Sequence, residues 1–448
     1  MKNKILTNNN NISNNISEVA EQKLTTSPYK GTSDTYPEDM YLRNYLFEIW
    51  KEVARTFGYE EYDTPLIEEA RLYRAKSGED LGNNQLYSFT DKGDREVAIR
   101  PEMTPSLARI VAAKRKELLF PLRWFNIGRY YRYEKPQKGR SREFFQLNID
   151  LIGVEDITAE LEIIQFVMKV MNKLQAPKET YELKINNRYL LEYLFEEILE
   201  LKEEQKESIV KAIDNYLKIE SDDFPKYLAE LGLNNQQIEM LVDFLNWELK
   251  DLEKIKDSSR GAKKLLDLFE RIEALSISNV KFCPYIIRGL QYYNGIVIEM
   301  FDIGSKENPR ALFGGGRYDN LLEIFGEKNI PAFGLGWGDV TTLDYLRTYN
   351  LLPEYNPNIE VFVTLMDNSL LDESSRVAQF LRENGINTQM QLTSIKLSKQ
   401  LKYANKKSIP WVVIIGEEEL KENKVLVKNM ETSEQKTIPL QEVLEMIR

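Results

Sequence analysis

A side-chain pattern that alternates on both sides of a Pro/Gly break leaves a chain little choice but an antiparallel hairpin. Residues 132–150 carry such a pattern: Arg-Tyr-Glu-Lys-Pro-Gln-Lys-Gly-Arg-Ser-Arg-Glu-Phe-Phe-Gln-Leu-Asn-Ile-Asp. Strand residues point alternately to opposite faces, and Pro136 and Gly139 punctuate the turn. Arg132 and Arg140 flank that turn. A planar guanidinium grips phosphate oxygens in pairs, so the stretch reads as a phosphate clamp on a strand-loop-strand frame, and the expected ligand is a nucleotide. Basic hairpin tips are also common as plain solvated loops, so the clamp needs support from the rest of the chain.

The 448 residues suffice for about two or three domains, and 42% hydrophobic with 29% charged residues is ordinary for a globular chain. No apolar run is long enough to span a bilayer. The single cysteine, Cys283, excludes a disulfide framework within the chain and fits a reducing cytoplasm. Residues 1–27 are Asn-rich, carry Glu18 and Glu21, and lack the apolar stretch of a secretion signal; they read as a disordered leader. The net charge of -11 argues against nucleic-acid binding through a global positive potential and leaves room only for a local basic track. There is no histidine at all, so imidazole general bases, Ser-His-Asp triads and histidine-ligated metals are excluded. Chemistry must run on Arg, carboxylates, Tyr and bound ions.

Along the chain, residues 38–57 show a helical rhythm opened by Pro37 and stopped at Gly58, followed by a strand ending in Thr64-Pro65-Leu66. Short alternating stretches from 83 to 153 predict an antiparallel sheet, with a helix over 106–118. Another helix is predicted over 156–175 and a strand over 183–186. Residues 189–280 are rich in Glu, Lys and Leu at helical spacing, as a helical insertion would be. Sheet-like patterning returns over 297–301 and 313–337. From 357, strands alternate with helices, which predicts a small α/β domain with a largely parallel core.

Residues 124–134 and 144–153 resemble motif 2 of the class II aminoacyl-tRNA synthetases, and 38–66 resembles motif 1, the dimer-forming element of that class. The run Arg288-Gly289-Leu290-Gln291-Tyr292-Tyr293-Asn294-Gly295 resembles a segment particular to the histidyl-tRNA synthetase family. The resemblance covers about residues 28–445 and implies an α+β fold: an antiparallel class II catalytic core flanked by helices, then a C-terminal anticodon-binding domain. Expected boundaries are 28–188 and 281–352 for the core, 189–280 for the insertion and 357–448 for the anticodon-binding domain. It further implies ATP with its Mg2+, L-histidine and tRNA(His) as ligands, a cytoplasmic homodimer and no membrane partner.

Family positions transfer as follows. Glu102, Thr104, Gln146, Asp150, Tyr292 and Tyr293 match residues around the amino acid; Gln146 and Asp150, four apart on a strand, face the same side. Asp150 stands where many members have Glu. Arg132 and Arg140 match the α- and γ-phosphate arginines, Phe144 the adenine platform and Glu134 a residue that fixes ATP or its Mg2+. Arg288 matches the catalytic arginine near the α-phosphate, and no protein metal site is expected. Lys135 and Gln137 match positions near the tRNA acceptor end. Lys396, Lys399 and Lys402 lie on a predicted basic helix, with Lys406 and Lys407, opposite Leu397, Leu401 and Ala404; a solvated face or a tRNA track both fit. Gly314-Gly315-Gly316-Arg317-Tyr318-Asp319 resembles the family's glycine-rich turn.

One departure matters. Motif 3 ordinarily ends in Gly-x-Glu-Arg, whereas Gly334-Leu335-Gly336-Trp337-Gly338 here runs into Asp339-Val340, so the arginine is missing. Either Trp337 or a nearby Arg such as Arg317 compensates, or the chain binds ATP poorly. Two other readings stay open: a non-charging, histidine-sensing regulatory subunit of ATP phosphoribosyltransferase, which the missing arginine would suit, and a noncatalytic RNA-binding module.

Overall fold

The computed structural model describes residues 24–75, 80–287, 292–306, 308 and 310–447. The predicted leader lies largely outside these residues, and so does Arg288. The described residues divide into two compact units, 43–352 with 24–34, and 353–447 with 35–42.

The first unit is built on an eight-stranded sheet. Its strands are β1 (Glu60–Glu61), β5 (Leu122–Tyr131), β6 (Glu143–Ile152), β7 (Tyr181–Asn187), β8 (Val280–Phe282), β9 (Ile296–Asp302), β10 (Ala311–Arg317) and β11 (Ala332–Gly338). Their spatial order is β1-β5-β6-β11-β10-β9-β7-β8. The inner pairings are antiparallel, and only the edge pairs β1/β5 and β7/β8 run parallel. A smaller sheet joins β2 (Ile67–Glu69), β4 (Glu96–Ile99) and β3 (Tyr87–Thr90).

The predicted hairpin is the longest pairing in the unit: β5 and β6 run together from Leu122↔Ile152 to Tyr131↔Glu143. Its loop closes in a tight turn in which Gln137 and Arg140 exchange backbone hydrogen bonds of 3.0 and 2.9 Å. Gly139 sits there at φ +70, in the left-handed region that an L side chain avoids. Behind the turn, the Arg142 backbone N–H donates to the Gly31 carbonyl at 2.8 Å, which ties residues just past the leader to the hairpin.

Helices cover the sheet where the hydrophobic rhythm places them. Thr158–Lys173 buries Ile163, Phe166, Val167 and Val170 against it. The helix expected over 106–118 instead spans Thr104–Lys114, because Pro105 fits the first helical turn, where no amide donor is required. Thr64, Pro65 and Leu66 do not end a strand; they lie between β1 and β2, where buried Arg100 donates to the Thr64 carbonyl at 2.9 Å and to Asp63 at 2.6 Å. Between β7 and β8 the chain is helical, from Arg188–Tyr193 to Arg260–Ala274.

The second unit has its own core and a five-stranded sheet, ordered β13-β12-β14-β15-β16, where β12 is Val361–Val363, β13 Thr388–Met390, β14 Trp411–Ile414, β15 Lys424–Asn429 and β16 Gln435–Pro439. The expectation of a largely parallel core is corrected here. β12 pairs in parallel with β13 and β14, but β15 and β16 return as antiparallel hairpins. Those two strands follow one another through a short turn, a connection too short for a parallel crossover.

Candidate active site

On one face of the large sheet a cavity of about 910 Å³ opens. The sheet supplies Phe144, Gln146, Asn148 and Asp150 from β6, Gly334, Gly336 and Gly338 from β11, and Glu299 and Phe301 from β9. The period-two spacing of β6 is what aligns its four side chains. They fit because β11 offers glycine opposite them: Gly334 pairs with Asp150, Gly336 with Asn148 and Gly338 with Gln146. A Cβ on Gly336 would stand 2.7 Å from Gln146 Cδ.

At one end stand Glu102, Thr104, Gln146, Asp150, Tyr292 and Tyr293, all lining the cavity. Tyr292 donates its phenol proton to Glu102 Oε2 at 2.7 Å, and the other carboxylate oxygen, Oε1, is buried without a hydrogen-bond partner. Burial and the nearby Glu102 charge push the Tyr292 phenol well above its ordinary pKa, so it remains a donor. Asp150 is fully buried and accepts from the Tyr318 hydroxyl. Burial raises its pKa to about 7, against the partial relief given by hydrogen bonds. Tyr292 and Tyr293 meet Tyr318 ring to edge, with centroids 6.0 and 6.5 Å apart.

The floor beneath is a hydrogen-bonded relay. Gln146 Nε2 donates to Asn148 Oδ1 at 2.7 Å, Asn148 Nδ2 to the Tyr130 hydroxyl at 2.8 Å, and that hydroxyl to Asn126 Oδ1 at 2.8 Å. Each member fixes the rotamer of the next, so Gln146 presents a set orientation to the cavity.

Arg132, Glu134, Arg140 and Phe144 occupy the other end. Arg132 donates from Nε to the Pro101 carbonyl at 3.0 Å, and its guanidinium lies 5.1 Å from the Phe144 ring centroid. Arg140 pairs with Glu134. Lys135 and Gln137 are exposed in the loop and do not line the cavity.

Two expectations are corrected. Arg317 is not available for the missing arginine's work: its guanidinium is buried in a pair with Glu160, at 2.5 and 2.6 Å, both side chains 2% exposed. Trp337 is fully buried and donates its indole proton to Thr342 Oγ1 at 2.8 Å. Strand alternation turns it to the face opposite Gly336 and Gly338. Gly314–Gly316 likewise form no turn; they run through the middle of β10, where Gly316 leaves space for the Tyr293 ring.

Sequence reasoning missed Asn148, Tyr318, Glu299 and Arg310 among the cavity residues. Asn148 was accessible to it, since it falls midway between Gln146 and Asp150 on the same face. Tyr318 lies within the glycine-rich motif, which assigns it no role, and nothing local marks Glu299 or Arg310, which the fold brings in from β9 and the start of β10. The helical segment between β7 and β8 also reaches the cavity, through Ile213, Asp214, Leu217 and Lys218.

In the second unit, the predicted basic helix spans Leu397–Lys406 with Lys396 as its N-cap. Lys396, Lys399 and Lys402 are exposed, and Leu397, Leu401 and Ala404 pack inward.

A family model described as histidyl-tRNA synthetase matches residues 31–338, and one described as an anticodon binding domain matches residues 360–448. The chain belongs to the histidyl-tRNA synthetase family. A histidine–tRNA ligase of Leptospira biflexa is 43% identical over 435 residues, 96% of this chain and 99% of the relative. The chloroplastic/mitochondrial histidine–tRNA ligase of Arabidopsis thaliana is 38% identical, covering 95% of this chain and 87% of that protein. The crystal structure of histidyl-tRNA synthetase from Nostoc sp. superposes with a TM-score of 0.79 over 95% of this chain and 99% of that one, at 24% identity, and shows the same fold. Within this family the α+β core and the C-terminal anticodon-binding unit are the expected parts. No helix among the described residues is long and apolar enough to cross a membrane.

Proposed function

We infer that this chain activates L-histidine with ATP to histidyl-adenylate and transfers the histidyl group to tRNA(His), in the cytoplasm and as a homodimer. One observation carries the reading: a single cavity has a buried carboxylate and tyrosine pocket at one end and guanidiniums at the other. An aminoacyl-adenylate needs both, because its two halves must be held in line while charge develops on the α-phosphate.

The unpartnered Glu102 Oε1 would accept the α-ammonium, with Thr104 on the first turn of the following helix beside it. Asp150 and Gln146 would take the imidazole, with Tyr292 and Tyr293 packed around the ring. Arg132 would hold the α-phosphate, Arg140 the γ-phosphate and Phe144 the adenine. Arg288 is the proposed catalytic guanidinium at the α-phosphate, on the strength of the family motif. Glu134, paired with Arg140 at this end of the cavity, would suit one ligand of the Mg2+ that ATP brings, phosphate oxygens and water filling the remaining positions. Lys135 and Gln137 in the exposed loop, and Lys396, Lys399 and Lys402 on their helix, are the proposed tRNA contacts. Retention of Arg132 and Arg140 and of the anticodon-binding domain weighs against the non-charging regulator and the RNA-binding module.

The test is ATP–pyrophosphate exchange with purified protein. Exchange that requires histidine supports the reading; histidine binding with no exchange would leave the regulator, and neither activity the RNA-binding module.

A further inference from the structure

The family's motif 3 arginine has no successor at its own place in this chain. Asp339 begins the helix Asp339–Thr348 as a buried carboxylate, accepting from the Phe145 backbone N–H at 2.9 Å and pairing with Arg43 at 3.3 Å. Trp337 and Arg317 are committed elsewhere, as described above. Yet the phosphate end of the cavity holds a guanidinium that the family motifs do not account for. Arg310 stands one residue before β10 and lines the cavity together with Arg132 and Arg140.

Its position is set by the hairpin turn. Arg310 Nη2 donates to Gln137 Oε1 at 2.7 Å and Nε donates to the Lys138 carbonyl at 3.3 Å. A Cβ on Gly139 would come within 3.2 Å of Arg310 Cδ, so the glycine lets the side chain lie against the turn that carries Arg140. Neutral acceptors orient the guanidinium without neutralising it. Among the described residues no carboxylate forms an ion pair with Arg310, while Glu134 is engaged by Arg140. Burial, and then repulsion by Arg140, hold the Arg310 pKa below its ordinary value. Three guanidiniums, those of Arg132, Arg140 and Arg310, line this end of the cavity, and the Glu134 carboxylate there is paired with Arg140, so a polyphosphate finds positive charge left to neutralise.

We propose that Arg310 holds the terminal phosphate of ATP in this chain, taking over from the start of β10 the γ-phosphate contact of the family's motif 3 arginine and not that arginine's place over the adenine. The inference rests on the histidyl-adenylate reading and adds a residue to it. Such an arginine touches the β- and γ-phosphates, which leave as pyrophosphate, and makes no contact with the adenylate that remains.

That difference provides the test. Arg310→Ala and Arg310→Lys are compared with the unaltered protein in histidine-dependent ATP–pyrophosphate exchange. Their affinity for a non-hydrolysable histidyl-sulfamoyl adenosine, which lacks both outer phosphates, is measured in parallel. Loss of one charge-assisted phosphate contact should raise the KM for ATP and for pyrophosphate about 10-fold or more in Arg310→Ala, less in Arg310→Lys, with the analogue bound as before. A parallel loss of analogue affinity would show that Arg310 only props the hairpin turn, and an unchanged KM for ATP would show that it does nothing; either result overturns the proposal. If Arg310→Ala has no cooperative melting transition, Arg310→Lys carries the same comparison. If the unaltered protein shows no histidine-dependent exchange, the functional reading fails, and equilibrium dialysis with ATP on the same proteins still decides the role of Arg310.

Discussion

Asp150 illustrates how much one buried side chain sets. Burial raises its pKa to about 7, so at neutral pH the empty pocket holds a mixture of carboxylic acid and carboxylate. An imidazole N–H donated to Asp150 favours the carboxylate, and binding therefore releases a proton wherever Asp150 was protonated beforehand. The sign follows: as pH falls through about 7, histidine must displace a proton and its apparent affinity drops. The expected outcome is a KM for histidine that rises below pH 7 in the unaltered protein. In Asp150→Asn the KM is higher throughout and this component of the pH dependence is gone, leaving only the titration of free histidine. Steady-state exchange kinetics between pH 5.5 and 8 on both proteins, in roughly half-unit steps, check it. The same raised value makes Asp150 a stabilising group only while protonated. Its contribution is complete at low pH and is lost as pH rises through about 7.

At the scale of elements, the site depends on strand register. The side chains of β6 can lie across β11 only because β11 is Gly334, Gly336 and Gly338 where it faces them. A one-residue slip of β6 would send Gln146 and Asp150 to the opposite face, and one of β11 would bring Leu335 and Trp337 to the face its glycines now hold. Gly336→Ala should leave the fold intact, since its new methyl meets the flexible end of Gln146 rather than backbone. It should nonetheless displace Gln146 from its relay with Asn148 and Tyr130. The predicted result is a KM for histidine raised about 10-fold, from loss of a hydrogen bond to a partly charged ligand, with the KM for ATP little changed. Equal effects on both substrates would argue that the strand itself had moved.

At the scale of the whole molecule, the two units divide the proposed work. Activation needs only residues of the first unit, while the basic helix Leu397–Lys406 belongs to the second. The body is acidic, at a net charge of -11, so the exposed lysines of that helix form a local track rather than part of a general positive field. Replacing Lys399 and Lys402 together with Glu should raise the KM for tRNA in the charging reaction and make it less salt-dependent, with histidine-dependent exchange unaltered. A charging reaction indifferent to both substitutions would remove this helix from the RNA contact.

What could be read from the chain alone follows the range of the interactions. The hairpin, the helix over 158–173, the helical run between β7 and β8 and the lysine face are local: period, turn residues and caps reveal them. The cavity side chains on β6 follow from alternation alone, which is why Gln146 and Asp150 could be paired and Asn148 should have been. Tyr318, Arg310 and the true situations of Arg317 and Trp337 depend on which strand lies beside which, a property that no window of residues contains. The missing motif 3 arginine shows the difference. Its absence is visible in the letters Gly338-Asp339, but that Arg317 is consumed by Glu160, while Arg310 reaches the hairpin turn across some 170 residues of chain, emerges only when β6, β11 and β10 are laid side by side. Side-chain periodicity is encoded locally, whereas charge pairing across a sheet is decided by burial and register, and these exist only in the folded chain.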